Sequence, residues 1–225
     1  MAAGPESGPI PREIFDLDIG PQAPLLVLDV DEVLAMFMRG FERFVGGRGF
    51  EMRITRFAIF QNIYRPGEAE HLDVAAGREL FDHFFAIDVE EIDPAPGAAK
   101  AVAAIAKEAA VVILSNAPAG CREARARWLE RSGFPYPLVV NTGLKGPAVA
   151  ALAGRTAGQA AFVDDLLPNL DSVAEHAPAV HRFQMVADER LRPLAFTAPE
   201  RHARIDDWPA LGEALAAALG LSSRT

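Results

Sequence analysis

The chain has 225 residues, long enough for one large α/β domain with an insertion, and its mix of half hydrophobic and a quarter charged residues is that of a globular protein, not a disordered or fibrous one. A formal charge of -9 and a pI of 5.1 oppose a nucleic-acid surface, which needs a basic face for phosphates, and leave small-molecule chemistry as the natural class. Cys121 is the single cysteine, which excludes an internal disulfide framework and a cysteine-based zinc site and fits a reducing, cytoplasmic setting.

Residues 1–24 carry no basic segment followed by an apolar stretch of signal-peptide length, and no apolar run in the chain reaches transmembrane length, so neither export nor a membrane is expected. Rich in Pro and Gly, they read as an N-terminal tail or surface wrap. Leu25 to Leu28 then form an apolar run suited to a buried strand, and it ends in three carboxylates, Asp29, Asp31 and Glu32.

Residues 36–92 hold nine of the fourteen Phe residues together with Arg39, Arg43, Arg48, Arg53, Arg56 and Arg65. Phe37, Phe41 and Phe44 have helical spacing, and ELFDHFFAI supplies a second helix with Phe81, Phe84 and Phe85. This is an inserted helical unit with its own aromatic core, some of which could line a substrate pocket and some of which could form a surface for a homodimer. It divides the remainder into 25–35 and 93–225.

After residue 92 the rhythm becomes regular. GAAKAVAAIAKEAA predicts a helix, VVILS a buried strand, and REARARWLERSG a helix ending at Gly133. PLVVN, AAFVD and AVHRF predict further strands, separated by helices in PAVAALAG and PNLDSVAEH, and WPALGEALAAALG closes the chain as a helix. Strands that are apolar runs, alternating with helices, predict a parallel α/β sheet covered by helices on both faces, with Leu25 to Leu28 central. No internal repeat is present.

In such a sheet a ligand sits beyond the carboxyl ends of the strands. Polar residues follow four of them: Asp29 with Asp31, Ser115 with Asn116, Asn141 with Thr142, and Asp164 with Asp165, with Lys145 shortly after the third. Carboxylates gathered from neighbouring strand ends repel one another unless a cation sits between them, and an all-oxygen donor set suits Mg²⁺. Ser115, Asn116 and Lys145 complement phosphate oxygens. Taken singly, each has a structural reading: Asp31 and Glu32 as acids at a helix start, Ser115 as a turn cap, Lys145 as a loop lysine, Asp164 as a helix-capping acid. Their joint placement at strand ends is what argues for a site. His71, His83, His176, His181 and His202 show no metal-ligand spacing, Cys121 has no His to activate it, and no G-x-S-x-G surrounds Ser115.

Asp29-Val30-Asp31, Ser115-Asn116, Lys145 and Asp164-Asp165 resemble, in order and approximate spacing, the four motifs of the haloacid dehalogenase-like (HAD) hydrolases, over residues 25 to about 175. The resemblance implies a Rossmann-like core with a mobile cap inserted after the first strand. It implies that Asp29 is a nucleophile forming an aspartyl phosphate, that Asp31 is the acid and base, and that Ser115 and Asn116 bind phosphoryl oxygens while Lys145 stabilises charge. It implies Mg²⁺ on Asp29, the main-chain carbonyl of Asp31 and an acid of the pair, Asp165 directly in preference to Asp164, with Asn169 in support. Asp31 places the resemblance with the phosphatases and not the dehalogenases. The motif's usual Gly after the second acid is Glu32 here, which could face solvent, the cap, or a cationic part of the substrate, or could impair phosphate binding. Arg39 and Arg43, at helical spacing just after the first motif, could contact an anionic substrate.

The function expected is a Mg²⁺-dependent phosphomonoesterase acting on a small phosphorylated metabolite, a nucleotide or a sugar phosphate. The alternatives are a phosphotransferase or mutase on the same scaffold and a catalytically weakened HAD-like binding protein. A receiver-type signalling module is disfavoured because it carries its acidic pair first and its phosphorylated Asp later. No G-x-G-x-x-G follows the first strand, which disfavours a dinucleotide-binding dehydrogenase.

Overall fold

The apolar run Leu25–Leu28 becomes β1, every residue buried, because successive side chains feed two separate apolar layers. Leu26 and Leu28 join one layer and Leu25 and Val27 the other, which is why the strand reads as a continuous hydrophobic run. The structure is a computed structural model that describes residues 8–222; the first seven residues of the tail lie outside the described residues.

Eight strands and seven α-helices follow in chain order: β1, α1 (Phe37–Gly46), β2 (Glu51–Met52), β3 (Ile63–Tyr64), α2 (Val74–Ile87), α3 (Ala98–Ile105), β4 (Ala110–Ser115), α4 (Arg122–Arg131), β5 (Leu138–Val140), α5 (Gly146–Ala153), β6 (Ala160–Asp164), α6 (Leu167–His176), β7 (His181–Gln184), β8 (Ala203–Arg204) and α7 (Trp208–Ala218), counted among the described residues. Six strands form one parallel sheet in the order β5-β4-β1-β6-β7-β8. Helices α3, α4 and α7 cover one face through Val102, Trp128 and Leu211, and α5 and α6 cover the other through Val149 and Leu170. The architecture is a Rossmann-like α/β sheet. Its strand order reverses about β1, with β4 on one side and β6 on the other, so the crevice of the fold opens at the carboxyl end of β1.

Residues 8–24 run over the second face, where Ile14 and Ile19 are buried and Arg155 donates to the carbonyls of Phe15 at 2.9 Å and Leu17 at 2.7 Å. Residues 36–92 leave and return at adjacent points: the Met36 amide donates to the Asp93 carbonyl at 2.9 Å and the Ala95 amide to that of Leu34 at 2.7 Å. Besides α1 and α2 this segment holds the antiparallel pair β2-β3, whose two-residue strands are too short to leave a sequence pattern. Phe37, Phe41, Phe44, Phe84 and Phe85 pack in one apolar cluster that continues into Val33, Leu34 and Trp128 of the sheet's first face. No helix among the described residues is long and apolar enough to cross a membrane.

Candidate active site

Parallel pairing carries one residue past β1, since the Asp29 amide donates to the Val163 carbonyl at 3.0 Å, and this sets the Asp29 side chain over the end of the sheet. Asp164 and Asp165 arrive there at the end of β6, next to β1. Lys145 arrives from the far side at the start of α5. Gly146 lets it do so: a Cβ at that position would lie 2.3 Å from the Ser172 hydroxyl and 2.4 Å from the Ser172 carbonyl oxygen, so only glycine allows α5 to approach α6 this closely.

The result is a buried cluster of opposite charges. Lys145 Nζ lies 2.5 Å from Asp29 Oδ1 and 2.7 Å from Asp164 Oδ2. Asp164 also accepts from the Leu166 amide at 2.9 Å and from Asn169 Nδ2 at 3.0 and 3.1 Å, so both its oxygens are engaged. The Asp165 carboxylate has no such partner among the described residues. Burial, reinforced by Asp164, Asp29 and Glu32, holds its carboxyl well above the usual range. Burial likewise pushes Asp29 up to about 7, against the pull of Lys145. For Lys145 burial opposes the charge, but Asp164 and Asp29 outweigh it and raise its pKa.

Oxygens of Asp29, Asp164 and Asp165 lie within 4.8 Å of one another. Two of these acids are protonated more readily than free carboxyls, first because they are buried and then because three carboxylates meet one lysine, and a divalent cation would supply the missing charge. With oxygen donors alone and Asp164 already satisfied, Asp165 and the Asp29 oxygen not paired with Lys145 are the open donors, and the set fits Mg²⁺. No histidine belongs to it: His202, for instance, is buried between Asp171 at 2.8 Å and Arg182 at 3.3 Å. Cys121 is buried, its thiol donates to the Pro118 carbonyl at 3.0 Å, and burial raises its pKa, so it is a poor nucleophile.

Beyond β4, the Ser115 hydroxyl is fully buried and accepts from the Ala117 amide at 3.3 Å. Asn116 is fixed from β5, donating to the Gly143 carbonyl at 2.8 Å and accepting from Asn141 Nδ2 at 2.9 Å. Asn141 therefore acts on the site through Asn116.

Asp31 faces a residue that sequence reasoning missed. Arg125 on α4 is fully buried and donates through Nη2 to both oxygens of Asp31, at 2.8 and 3.1 Å. Its guanidinium lies 5.3 Å from the ring centre of Phe85 and 5.8 Å from that of Trp128, and its Nε and Nη1 have no hydrogen-bond partner. A signal existed: Arg125, Trp128 and Leu129 are spaced for one helix face, and an arginine on an apolar face needs a partner.

Glu32 faces the inserted segment 36–92 at the edge of the site cavity. It has φ 59°, the left-handed conformation that explains a usual glycine at this place. Its Oε1 accepts from the Met38 amide in the first turn of α1 at 2.7 Å and its Oε2 from the Asp188 amide at 2.9 Å. Burial raises its pKa to about 7 despite these bonds.

The acids close one end of a cavity of about 370 Å³, with Asp29, Asp31, Glu32, Asn116, Lys145, Asp165 and Asn169 in its wall; residues from 37 to 85 form the other end. Arg39 and Arg43 do not line it. They lie on the face of α1 opposite Phe37 and Phe41, where Arg39 pairs with Glu189 and lies 3.6 Å from Asp188, and Arg43 pairs with Asp93 at 2.8 Å. Helical spacing correctly put the two arginines on one face, but burial of the aromatics turns that face outward.

No protein-family model matches the sequence, and no curated protein does. Solved structures do. A haloacid dehalogenase-like family hydrolase from Streptococcus pneumoniae superposes with a TM-score of 0.56 at 12% identity, over 86% of this chain and 98% of that one. A conserved haloacid dehalogenase-like protein of unknown function from Agrobacterium tumefaciens gives 0.55 at 15%, over 86% and 97%. The chain has the haloacid dehalogenase-like fold. YfnB from Bacillus subtilis, described as a HAD-hydrolase and solved bound to magnesium, gives 0.55 at 13%, over 86% and 99%. At these identities the likeness is one of HAD fold, and the activity has to be argued from the side chains.

Proposed function

We propose that the protein is a Mg²⁺-dependent phosphomonoesterase acting on a small phosphorylated metabolite through an aspartyl phosphate on Asp29. The observation that carries this reading is the meeting of Asp29, Asp165 and Lys145, all buried, at the end of a cavity that Asp31 also lines. An Asp29 oxygen attacks phosphorus as the bond to the ester oxygen breaks, and Asp31 delivers a proton to the departing alkoxide. Asp31 then takes a proton from the water that attacks the same phosphorus, and Asp29 is released with inorganic phosphate.

Lys145 balances charge on Asp29 and on the transferring group from a position fixed by Asp164. The main chain of Asn116 binds phosphoryl oxygens, with Ser115 behind it fixing the turn through its hydrogen bond from the Ala117 amide. Arg125 holds Asp31 at the rim of the site through its hydrogen bonds to both carboxylate oxygens. Mg²⁺, held by Asp29, Asp165 and the main-chain carbonyl of Asp31, would keep Asp29 ionised and neutralise phosphate charge. Asp164 and Asn169 support this set from behind through their mutual hydrogen bonds.

The test is phosphate release from a panel of phosphomonoesters with and without Mg²⁺. Turnover is expected to need the metal and to fall by at least about 10³-fold in Asp29→Asn. A wild-type rate in that variant overturns the reading.

A further inference from the structure

The cavity has two unlike ends. The end formed by the strand termini is polar, while the cap supplies Phe37, Phe57, Ile59, Phe60, Phe81 and Phe85. Among the described residues its lining holds one cation, Lys145, and Asp29 and Asp164 already engage it. None of the cap's arginines lines the cavity: Arg39 and Arg43 pair on the outer face, Arg48 lies 3.5 Å over the ring of Phe44, Arg53 4.4 Å over that of Tyr64, and Arg78 5.4 Å over that of Phe60. A second phosphate or a carboxylate on the substrate would enter without a counter-charge, and sugar hydroxyls or base edges would give up water for aromatic walls.

The aromatic walls are preformed. Phe60 meets Phe81 edge-on with centroids 5.8 Å apart, and Phe81 lies 4.7 Å from Phe85. Such a lining favours a ring, whose edge and faces match the quadrupoles around it. A volume of about 370 Å³ is at the small end for ligand sites, which suits one ring beside a phosphoryl group.

Resting on the phosphomonoesterase reading, we infer that the substrate is the phosphate ester of an apolar, ring-sized alcohol with no second anionic group. This goes against the nucleotide or sugar phosphate suggested by sequence alone.

The experiment compares 2-phenylethyl phosphate with glucose 6-phosphate, both esters of primary alcohols, so that leaving-group chemistry does not bias the result. With Mg²⁺ present, kcat/KM is expected to favour the phenylethyl ester by about 100-fold, and Phe60→Asn to narrow that ratio about tenfold. Equal or better use of glucose 6-phosphate overturns the inference while the phosphomonoesterase reading stands. Calorimetric titration with 2-phenylethylphosphonate and methylphosphonate, neither of which can be hydrolysed, separates the two claims. The phenylethyl compound is expected to bind about 30-fold more tightly, with a more negative heat-capacity change. Equal affinities overturn the inference whatever the turnover. Preferential binding without phosphate release from any ester upholds the apolar selectivity and overturns the phosphomonoesterase reading.

Discussion

Asp29 and Asp31 are two residues apart and are held in opposite ways. Asp29 is ionised against its surroundings, since burial raises its pKa to about 7. In metal-free protein at pH 8 its charge therefore costs folding free energy, and Asp29→Asn is expected to raise stability by about 1–3 kcal/mol while abolishing turnover. Asp31 is the partner of a guanidinium with no exposed side-chain surface, while its own side chain is 28% exposed. Asp31→Asn leaves Arg125 buried without its carboxylate, a loss of about 3 kcal/mol. The two amide variants should thus move the thermal midpoint in opposite directions, by about 3 °C per kcal/mol for a chain of this size. A fall in both would mean that the Lys145–Asp29 pair outweighs the burial of Asp29. Neither sign is legible in the sequence, which gives the two acids different expected roles but not their burial or their partners.

At the scale of elements, Glu32 turns a loop into a clamp between α1 and the segment after β7. Glu32→Gly relieves a left-handed φ worth about 1 kcal/mol, but leaves the Met38 and Asp188 amides without their charged acceptor, at about 1–3 kcal/mol each. A net loss of about 2 kcal/mol is expected in urea unfolding, with hydrogen exchange at those two amides accelerating more than at β1. Unchanged exchange there would show that the clamp does not hold the loop. The sheet itself was largely legible, because β1, β4 and β6 are apolar runs that end in polar groups; the cavity wall gathers Asp29, Asp31, Asn116 and Asp165 from those ends, while Ser115 is buried outside its lining. Boundaries moved where pairing competed with propensity: the alanine-rich helix expected to reach residue 110 stops at Ile105, and the Ala110 amide instead donates to the Pro24 carbonyl at 2.8 Å. β8 pairs only Ala203 and Arg204 with β7 and has no periodicity to read. Arg125 was hidden by its setting, REARARWLER, in which one buried arginine looks like its solvated neighbours.

At the scale of the molecule, the net charge of -9 matters less than where a few acids lie. Asp29 and Glu32 titrate at about 7 in the fold, and Asp165 well above its ordinary value, all first because of burial. Between about pH 4 and 7 the unfolded chain has released protons that the folded chain keeps on these groups, so stability falls as pH rises through that window, by up to about 1.4 kcal/mol per pH unit for each proton. Asp188 and Glu189, lowered by hydrogen bonds and arginine charge, act with the opposite sign, but their stabilisation is lost only as pH falls towards 4 and below. Mg²⁺ on Asp29 and Asp165 removes their part of this slope, since it binds the ionised pair and must displace protons below pH 7. The metal-free protein is therefore expected to melt at a lower temperature at pH 8 than at pH 6, and Mg²⁺ to raise the midpoint more at pH 8. A metal shift that is equal at the two pH values would mean that neither carboxyl loses a proton on binding, which is incompatible with Asp29 and Asp165 as the ligands.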